Sequence, residues 1–312
     1  MPANTPNLFL IDQPRSGTTS LWQWLSDHPD VLMAPYKEPG FFCTDLWEES
    51  DAFHGRAVFF PVRRERQYLE LFRGPRKPLV GEATPYYLFS EPAVQRILDF
   101  NPDARFIVLL REPVSFLISL HRHLVASGME TAATLPEALD LEPARRRGLA
   151  VPRAVICPSF LYYTRWVAYD ELLTRLFATV PPHQRLVLFF EDLVHAPCWT
   201  LRRVVRFLQI RLPRTIRLPS ENAGGTAATG RVIRTFFPPA VQAALRRIIP
   251  MPLHVSLWLW GKRMVGRRSA VPNVPRVAVQ QRLEPELRRL YAALSDQLGI
   301  KLDAWRRQAQ AA

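Results

Sequence analysis

Cysteine is scarce in this 312-residue chain: Cys43, Cys157 and Cys198 are far apart and odd in number, and no CxxC pair or Cys/His cluster occurs. That pattern excludes a disulfide framework and gives no support to a zinc site. Reduced, buried thiols in a cytoplasmic protein are the expectation. Lysine is nearly as rare, with Lys37, Lys77, Lys262 and Lys301 the full set, so arginine supplies most of a net charge of +13. No apolar run reaches the roughly 18 residues of a spanning helix. The start, Met1-Pro2-Ala3-Asn4, carries no basic-then-apolar leader. Pro250 to Gly261 (PMPLHVSLWLWG) is too short to span and runs into Lys262, Arg263, Arg267 and Arg268. It reads as a buried helix beside a basic loop or as a patch in peripheral contact with acidic membrane. There is no internal repeat and no low-complexity segment.

What is present is enough for a core: 48% of residues are hydrophobic and 22% charged, the range of an ordinary globular chain. The basic excess attracts nucleic acid, acidic membrane or anionic small molecules, and charge alone does not choose among them. Four short apolar runs have the texture of buried parallel strands: Leu8 to Ile11, Leu79 to Gly81, Arg105 to Leu110 and Arg185 to Phe190. Helical patterns separate them at Thr19 to Asp27, Glu91 to Phe100, Val114 to Ser127, Phe160 to Thr179 and Trp199 to Gln209. This alternation predicts an α/β fold, a central parallel sheet flanked by helices. Beyond Leu212 the chain turns rich in turn formers and arginine. A helix is expected at Ala240 to Ile249. Another at Gln281 to Leu298 carries Leu283, Leu287, Leu290, Leu294 and Leu298 on one stripe. The expected organisation is a single domain, with a core over about 7–212 and an irregular and helical cap over 213–312.

The first strand runs into Asp12-Gln13-Pro14-Arg15-Ser16-Gly17-Thr18-Thr19-Ser20 and then a helix. A strand end, tight turn and helix start gather backbone N–H groups around one point, where the helix dipole is positive. Gly17 allows close approach, Arg15 offers a charged fork, and Thr18, Thr19 and Ser20 offer hydroxyls that can donate and cap the helix. The turn lacks the Gly-Lys-Ser/Thr ending of a nucleotide-hydrolysing loop, and no magnesium-site acid follows on a strand, which argues against a kinase. Arg111 stands at the end of the third run, on the edge where open α/β sheets bind ligands, with Ser119 eight residues on. Val80-Gly81-Glu82-Ala83-Thr84-Pro85-Tyr86-Tyr87 brings Glu82, Thr84 and two tyrosines to the same edge.

In this order, RSGTTSLWQWLSDHP, KEPGFF, GEATPYYL, FIVLLREPVSFLISLHRH and RLVLFFEDL with RVVRFLQI resemble the sulfotransferases that use 3′-phosphoadenosine 5′-phosphosulfate (PAPS). The nearest flavour is the carbohydrate and heparan-sulfate branch and its bacterial relatives. The likeness covers about Leu8 to Ile210, and more loosely the stretch ending Asp303-Ala304-Trp305. It implies a P-loop-containing three-layer fold. It also implies that Arg15, Ser16, Gly17, Thr18, Thr19 and Ser20 surround the phosphosulfate, that Arg111 and Ser119 hold the 3′-phosphate, and that Glu38 is the general base. Arg15 stands where most members carry lysine and would stabilise charge on the leaving phosphate. Asn222, Arg231 and Arg234 are candidates for a loop that contacts cofactor or acceptor. Neither a metal nor nucleic acid is expected. The acceptor would be a hydroxyl of a carbohydrate, glycolipid or other small molecule, in a cleft built from about Phe42 to Arg66, Met129 to Pro158 and Ser220 to Asn273.

Other residues have plainer readings. Lys37 is a surface lysine or a helper of Glu38, His28 a turn residue at a helix end, and His121 and His123 competing bases or structural side chains. Glu191 and Asp192 are read as helix-start caps and ion partners. Two positions depart from the resemblance. Asp12 replaces a glycine and must point away from the turn or pair with an arginine. Ala83 replaces a lysine near the transferring group. The alternatives are a basic nucleic-acid- or membrane-surface-binding protein and a catalytically inactive sulfotransferase-like fold.

Overall fold

Five short strands form one parallel sheet in the order β2-β3-β1-β4-β5, with β1 Leu8–Leu10, β2 Val31–Met33, β3 Leu79–Ala83, β4 Arg105–Leu110 and β5 Arg185–Phe189. This computed structural model describes residues 4–212, 275–300, Leu302 and Trp305. Asn222, Arg231, Arg234, the helix expected at Ala240 to Ile249 and the LWLWGKR patch lie outside the described residues. The chain divides into two compact units. The first comprises Met1–Phe116, Thr164–Glu221 and Leu283–Ala312, and the second Leu117–Tyr163 and Asn222–Arg282.

The register of the first unit's sheet places Phe9 beside both Glu82 and Phe106. Strand side chains alternate between faces, and both faces are covered. Leu8, Leu10, Ile107, Leu109 and Leu188 join one cluster with Leu21, Trp24 and Leu25, and with Leu193, Leu201, Val204 and Leu208. On the other face Phe9 stacks on Phe106 at 5.8 Å and meets Phe42 edge-on at 6.0 Å. Phe42 continues that layer against Tyr68, Tyr87 and Phe100. Coverage of both faces is why the strands read as unbroken apolar runs. Four strands match the expected runs. The fifth, β2, is only Val31-Leu32-Met33 behind the turn at His28-Pro29-Asp30, too short for a periodic signal.

The helices are α1 Thr18–Ser26, α2 Thr44–His54, α3 Glu65–Glu70, α4 Ala93–Phe100, α5 Pro113–Ala126, α6 Leu135–Arg145, α7 Tyr163–Trp166, α8 Tyr169–Thr179, α9 Phe190–His195, α10 Pro197–Leu208, α11 Arg276–Arg282 and α12 Glu284–Leu298. Two of the segments expected to build the acceptor cleft, Phe42 to Arg66 and Met129 to Pro158, contain regular helix, α2 and α6. The helix read over Phe160 to Thr179 is broken: Tyr162 and Ala168 leave helical geometry, at ψ 78° and 56°. The helix read over Gln281 to Leu298 starts afresh at Glu284, with a proline in its first turn. Its stripe is buried at Leu283, Leu287, Leu290 and Leu294, while Leu298 is half-buried. Gln297 ties it to α8 through Asp170 O (3.0 Å) and Thr174 Oγ1 (2.6 Å). No helix among the described residues is long and apolar enough to cross a membrane.

The second unit is organised around a fully buried ion pair, Glu130 with Arg145. Tyr163 OH donates to Glu130 at 2.8 Å, as do the backbone N–H groups of Thr131 and Ala132. Saturating the pair with extra donors is what lets charges persist without water. His121 is buried, its Nε2 3.1 Å from Ala132 O, and burial lowers its pKa. It is a structural side chain of this unit.

Gly81 sits in β3 between two neighbours. A Cβ there would lie 2.9 Å from Leu8 O and 3.0 Å from Met33 Sδ. Gly81→Ala is expected to destabilise the protein by about 1–3 kcal/mol, read as a lower urea midpoint with an unchanged m-value.

Candidate functional site

The turn after β1 is built as the sequence suggests, with one difference. Gly17 is the N-cap residue of α1, left-handed at φ 90°, and no side chain caps the helix. Thr18, Thr19 and Ser20 are therefore not spent on capping their own helix. Ser20 and Leu21 donate back to Gly17 O, the first bonds of α1. The N–H groups before them have no intrahelical acceptor. Besides its positive φ, a Cβ on Gly17 would come within 2.9 Å of the Phe190 ring. Arg15 is also left-handed, at φ 69°, which costs a non-glycine residue about 1–2 kcal/mol. Such strain persists where surrounding structure over-determines a functional turn.

Arg111, the residue after β4, donates from Nη1 to Arg15 O at 2.8 Å. Its guanidinium lies over the Phe190 ring, 4.7 Å from the centroid. Burial lowers the pKa of both Arg15 and Arg111; at Arg111 the carboxylate of Glu191 works against that shift and the charge of Arg15 adds to it. Two arginines held close at one sheet edge form a site that an anion can bridge. Arg111 is fixed from behind, since Tyr169 OH donates to its carbonyl at 2.9 Å. The buried carboxylates beside it are also satisfied. Glu112 accepts from the N–H groups of Val114 and Ser115 at the start of α5 and from Tyr291 OH. Glu191 accepts from Glu112 N (3.0 Å) and Trp305 Nε1 (2.9 Å). Glu191 is thus a cap, as expected, but of the turn into α5. Asp192 has Arg203 as its leading charge partner. Ser119 lies on α5, in the second unit.

Glu38 is left-handed at φ 65°, and its N–H donates to Ala83 O at 2.8 Å. Gly40 N donates to Thr84 Oγ1 at 3.3 Å, and Phe41 stacks on Tyr68 at 4.5 Å. These contacts pin the Lys-Glu-Pro-Gly-Phe-Phe stretch to the end of β3. Beneath it Glu82 is fully buried and accepts from Tyr68 OH, Tyr87 OH and Thr84 Oγ1 at 2.6–2.7 Å. Burial lifts the Glu82 pKa to about 7 against those three donors. Glu82, Thr84 and Tyr87 are therefore scaffold.

Two readings are corrected here. Lys37 is half-buried, and its Nζ donates to Thr19 Oγ1 at 2.7 Å, so it is no plain surface lysine. Asp12 neither points away nor pairs with an arginine: it is fully buried and accepts the Thr18 hydroxyl proton on Oδ2. Lys37 and Glu38 are the side-chain charges that bear on it. His28 is the turn residue expected, accepting from Asp30 N on Nδ1 and meeting Arg211 O through Nε2. Phe190 was missed. Its one signal is a second phenylalanine continuing the apolar run past the strand end.

The profile of the sulfotransferase family matches residues 56–214, a span that begins after both the anion turn and Glu38. Heparan sulfate glucosamine 3-O-sulfotransferase 3B1 of Mus musculus is 27% identical over 211 residues, 66% of this chain and 46% of that protein. Membrane-associated sulfotransferase kil1 of Dictyostelium discoideum is 29% identical over 114 residues, 36% of this chain and 22% of that one. The chain thus spans less than half the length of either. A crystal structure of a sulfotransferase from Alicyclobacillus acidocaldarius superposes with a TM-score of 0.67 at 23% identity, covering 97% of this chain and 99% of that one. That likeness establishes the fold.

Glu82→Ala leaves three buried hydroxyls without their acceptor. It is expected to cost at least about 3 kcal/mol in urea unfolding and to loosen the loop that carries Glu38.

Proposed function

The chain belongs to the sulfotransferase family, and from that premise we propose that it moves a sulfuryl group from PAPS to an acceptor hydroxyl of a carbohydrate or glycoconjugate. The observation that carries the proposal is the Lys37–Thr19 hydrogen bond. It seats the loop bearing Glu38 directly on the anion turn, so that a base and a donor-binding nest share one sheet edge. The carbohydrate acceptor is supported by the likeness to carbohydrate-acting relatives, among them the mouse heparan sulfate enzyme.

On this reading the turn from Arg15 to Ser20 holds the phosphosulfate, and Arg111 takes the 3′-phosphate. Glu38 accepts the proton of the acceptor hydroxyl as its oxygen attacks sulfur. The bond from sulfur to the bridging oxygen breaks, and 3′-phosphoadenosine 5′-phosphate (PAP) leaves. Charge growing on the bridging oxygen is met by Arg15, by the start of α1 and by Lys37. Lys37 supplies near the reacting group a cation that Ala83 does not. As in phosphoryl transfer, positioning and charge stabilisation provide most of the acceleration. The reading calls for no metal.

Isothermal titration of the full chain with PAP is expected to show binding, and no binding at millimolar ligand contradicts the proposal. Glu38→Gln keeps the shape of the loop and removes its base. Its kcat is expected to fall roughly a hundredfold or more while PAP affinity holds, measured as PAP release in the presence of acceptor. Near-normal turnover would take the base role away from Glu38.

A further inference from the structure

Asp12 puts a carboxylate under a turn built to attract anions. It is fully buried, its Oδ2 accepts the Thr18 hydroxyl proton, and its Oδ1 is buried with no partner. Ser16 Oγ, in the same turn, is likewise buried and unpartnered. A threonine hydroxyl has one proton to give. While Thr18 gives it to Asp12, none is left for a ligand. If Asp12 takes up a proton, its own O–H can donate to Thr18 Oγ, and the Thr18 proton is freed toward the bound anion. The same event removes a negative charge from beneath the ligand.

We propose that Asp12 is a positioning residue that couples anion binding in the turn to the uptake of one proton, switching Thr18 from a donor to Asp12 into a donor to the ligand. The proposal rests on the turn holding the phosphosulfate end of the sulfuryl donor. The proton comes from solvent and goes to an Asp12 carboxylate oxygen; no covalent bond to the ligand changes. Four groups act on Asp12. Lys37 favours the carboxylate, the Thr18 hydroxyl and the backbone N–H of Asp12 itself do so to a lesser degree, and Glu38 opposes it. Burial outweighs them and lifts the carboxyl to about 7, so both states lie within the working range. The sign follows. A bound anion favours neutral Asp12 and raises its pKa further. Binding therefore draws in a proton wherever the empty protein holds the carboxylate, and affinity falls as pH rises above about 7. The ligand's own phosphates act in the opposite sense, since they gain charge as they lose a last proton near pH ~6.

The test is isothermal titration of the full chain with PAP between about pH 6.5 and about 8.5, wild type against Asp12→Asn. Asparagine mimics the neutral acid and does not titrate. Wild-type affinity is expected to weaken by about tenfold more than that of Asp12→Asn across the range. In buffers of different ionisation enthalpy near pH ~8, where PAP has no proton left to exchange, wild type is expected to take up a proton that Asp12→Asn does not. Equal pH dependence and equal proton uptake overturn the coupling while leaving the donor reading intact. Absence of PAP binding at every pH overturns both. Should Asp12→Asn fail to fold, zero proton uptake by wild type near pH ~8 still overturns it.

Discussion

The carboxylate of Glu82 is the point on which this sheet edge depends. It has no access to water, so three hydroxyls from Tyr68, Thr84 and Tyr87 must hold it. Those hydroxyls come from α3, from the end of β3 and from the turn after it, which fixes the three with respect to one another. Thr84 then receives Gly40 N, and Ala83 receives Glu38 N. Lys37 reaches from the same loop to Thr19. These hydrogen bonds thus link a buried acid to the turn after β1. Low dielectric makes each link strong when satisfied and costly when broken.

The second constraint is like charge held close. Arg111 bonds the carbonyl of Arg15 and lies on Phe190, an arrangement that is braced from behind and in which the Glu191 carboxylate offsets the nearby charge of Arg15. Tyr169, Glu112, Glu191, Tyr291 and Trp305 provide the brace. Two of these come from the C-terminal segment, so α12 and Trp305 do more than cover apolar surface. Phe190 also packs on Gly17, linking the end of β5 to the tip of the anion turn.

Much of the sheet was legible because strands buried on both faces leave runs that composition alone reveals. Leu79 to Gly81 and Arg105 to Leu110 fall within strands found there. β2 left no such trace, since three residues cannot display a period. Of the helices that follow it, α2 buries only Leu46 and Ser50 and α3 only Tyr68, too few for an apolar stripe to stand out from loop. The turn after β1 was legible as a strand–turn–helix because glycine, arginine and hydroxyl residues break the apolar run just before α1 begins. Its partners were not. Lys37 and Asp12 take their roles from the crossing of β1 with the loop after β2, and nothing local to either residue reports that crossing. Ser119 was named from spacing to Arg111, and it sits on α5.

The central claim is transfer: the anion held by this turn is handed to a hydroxyl. The most direct measurement is incubation of the full chain with sulfur-radiolabelled PAPS and a panel of carbohydrate acceptors, followed by separation of acceptor, PAP and free sulfate. The account predicts label on a hydroxyl acceptor in step with PAP released. Bound PAPS with label left on the donor, or lost only as free sulfate whatever acceptor is offered, would contradict it.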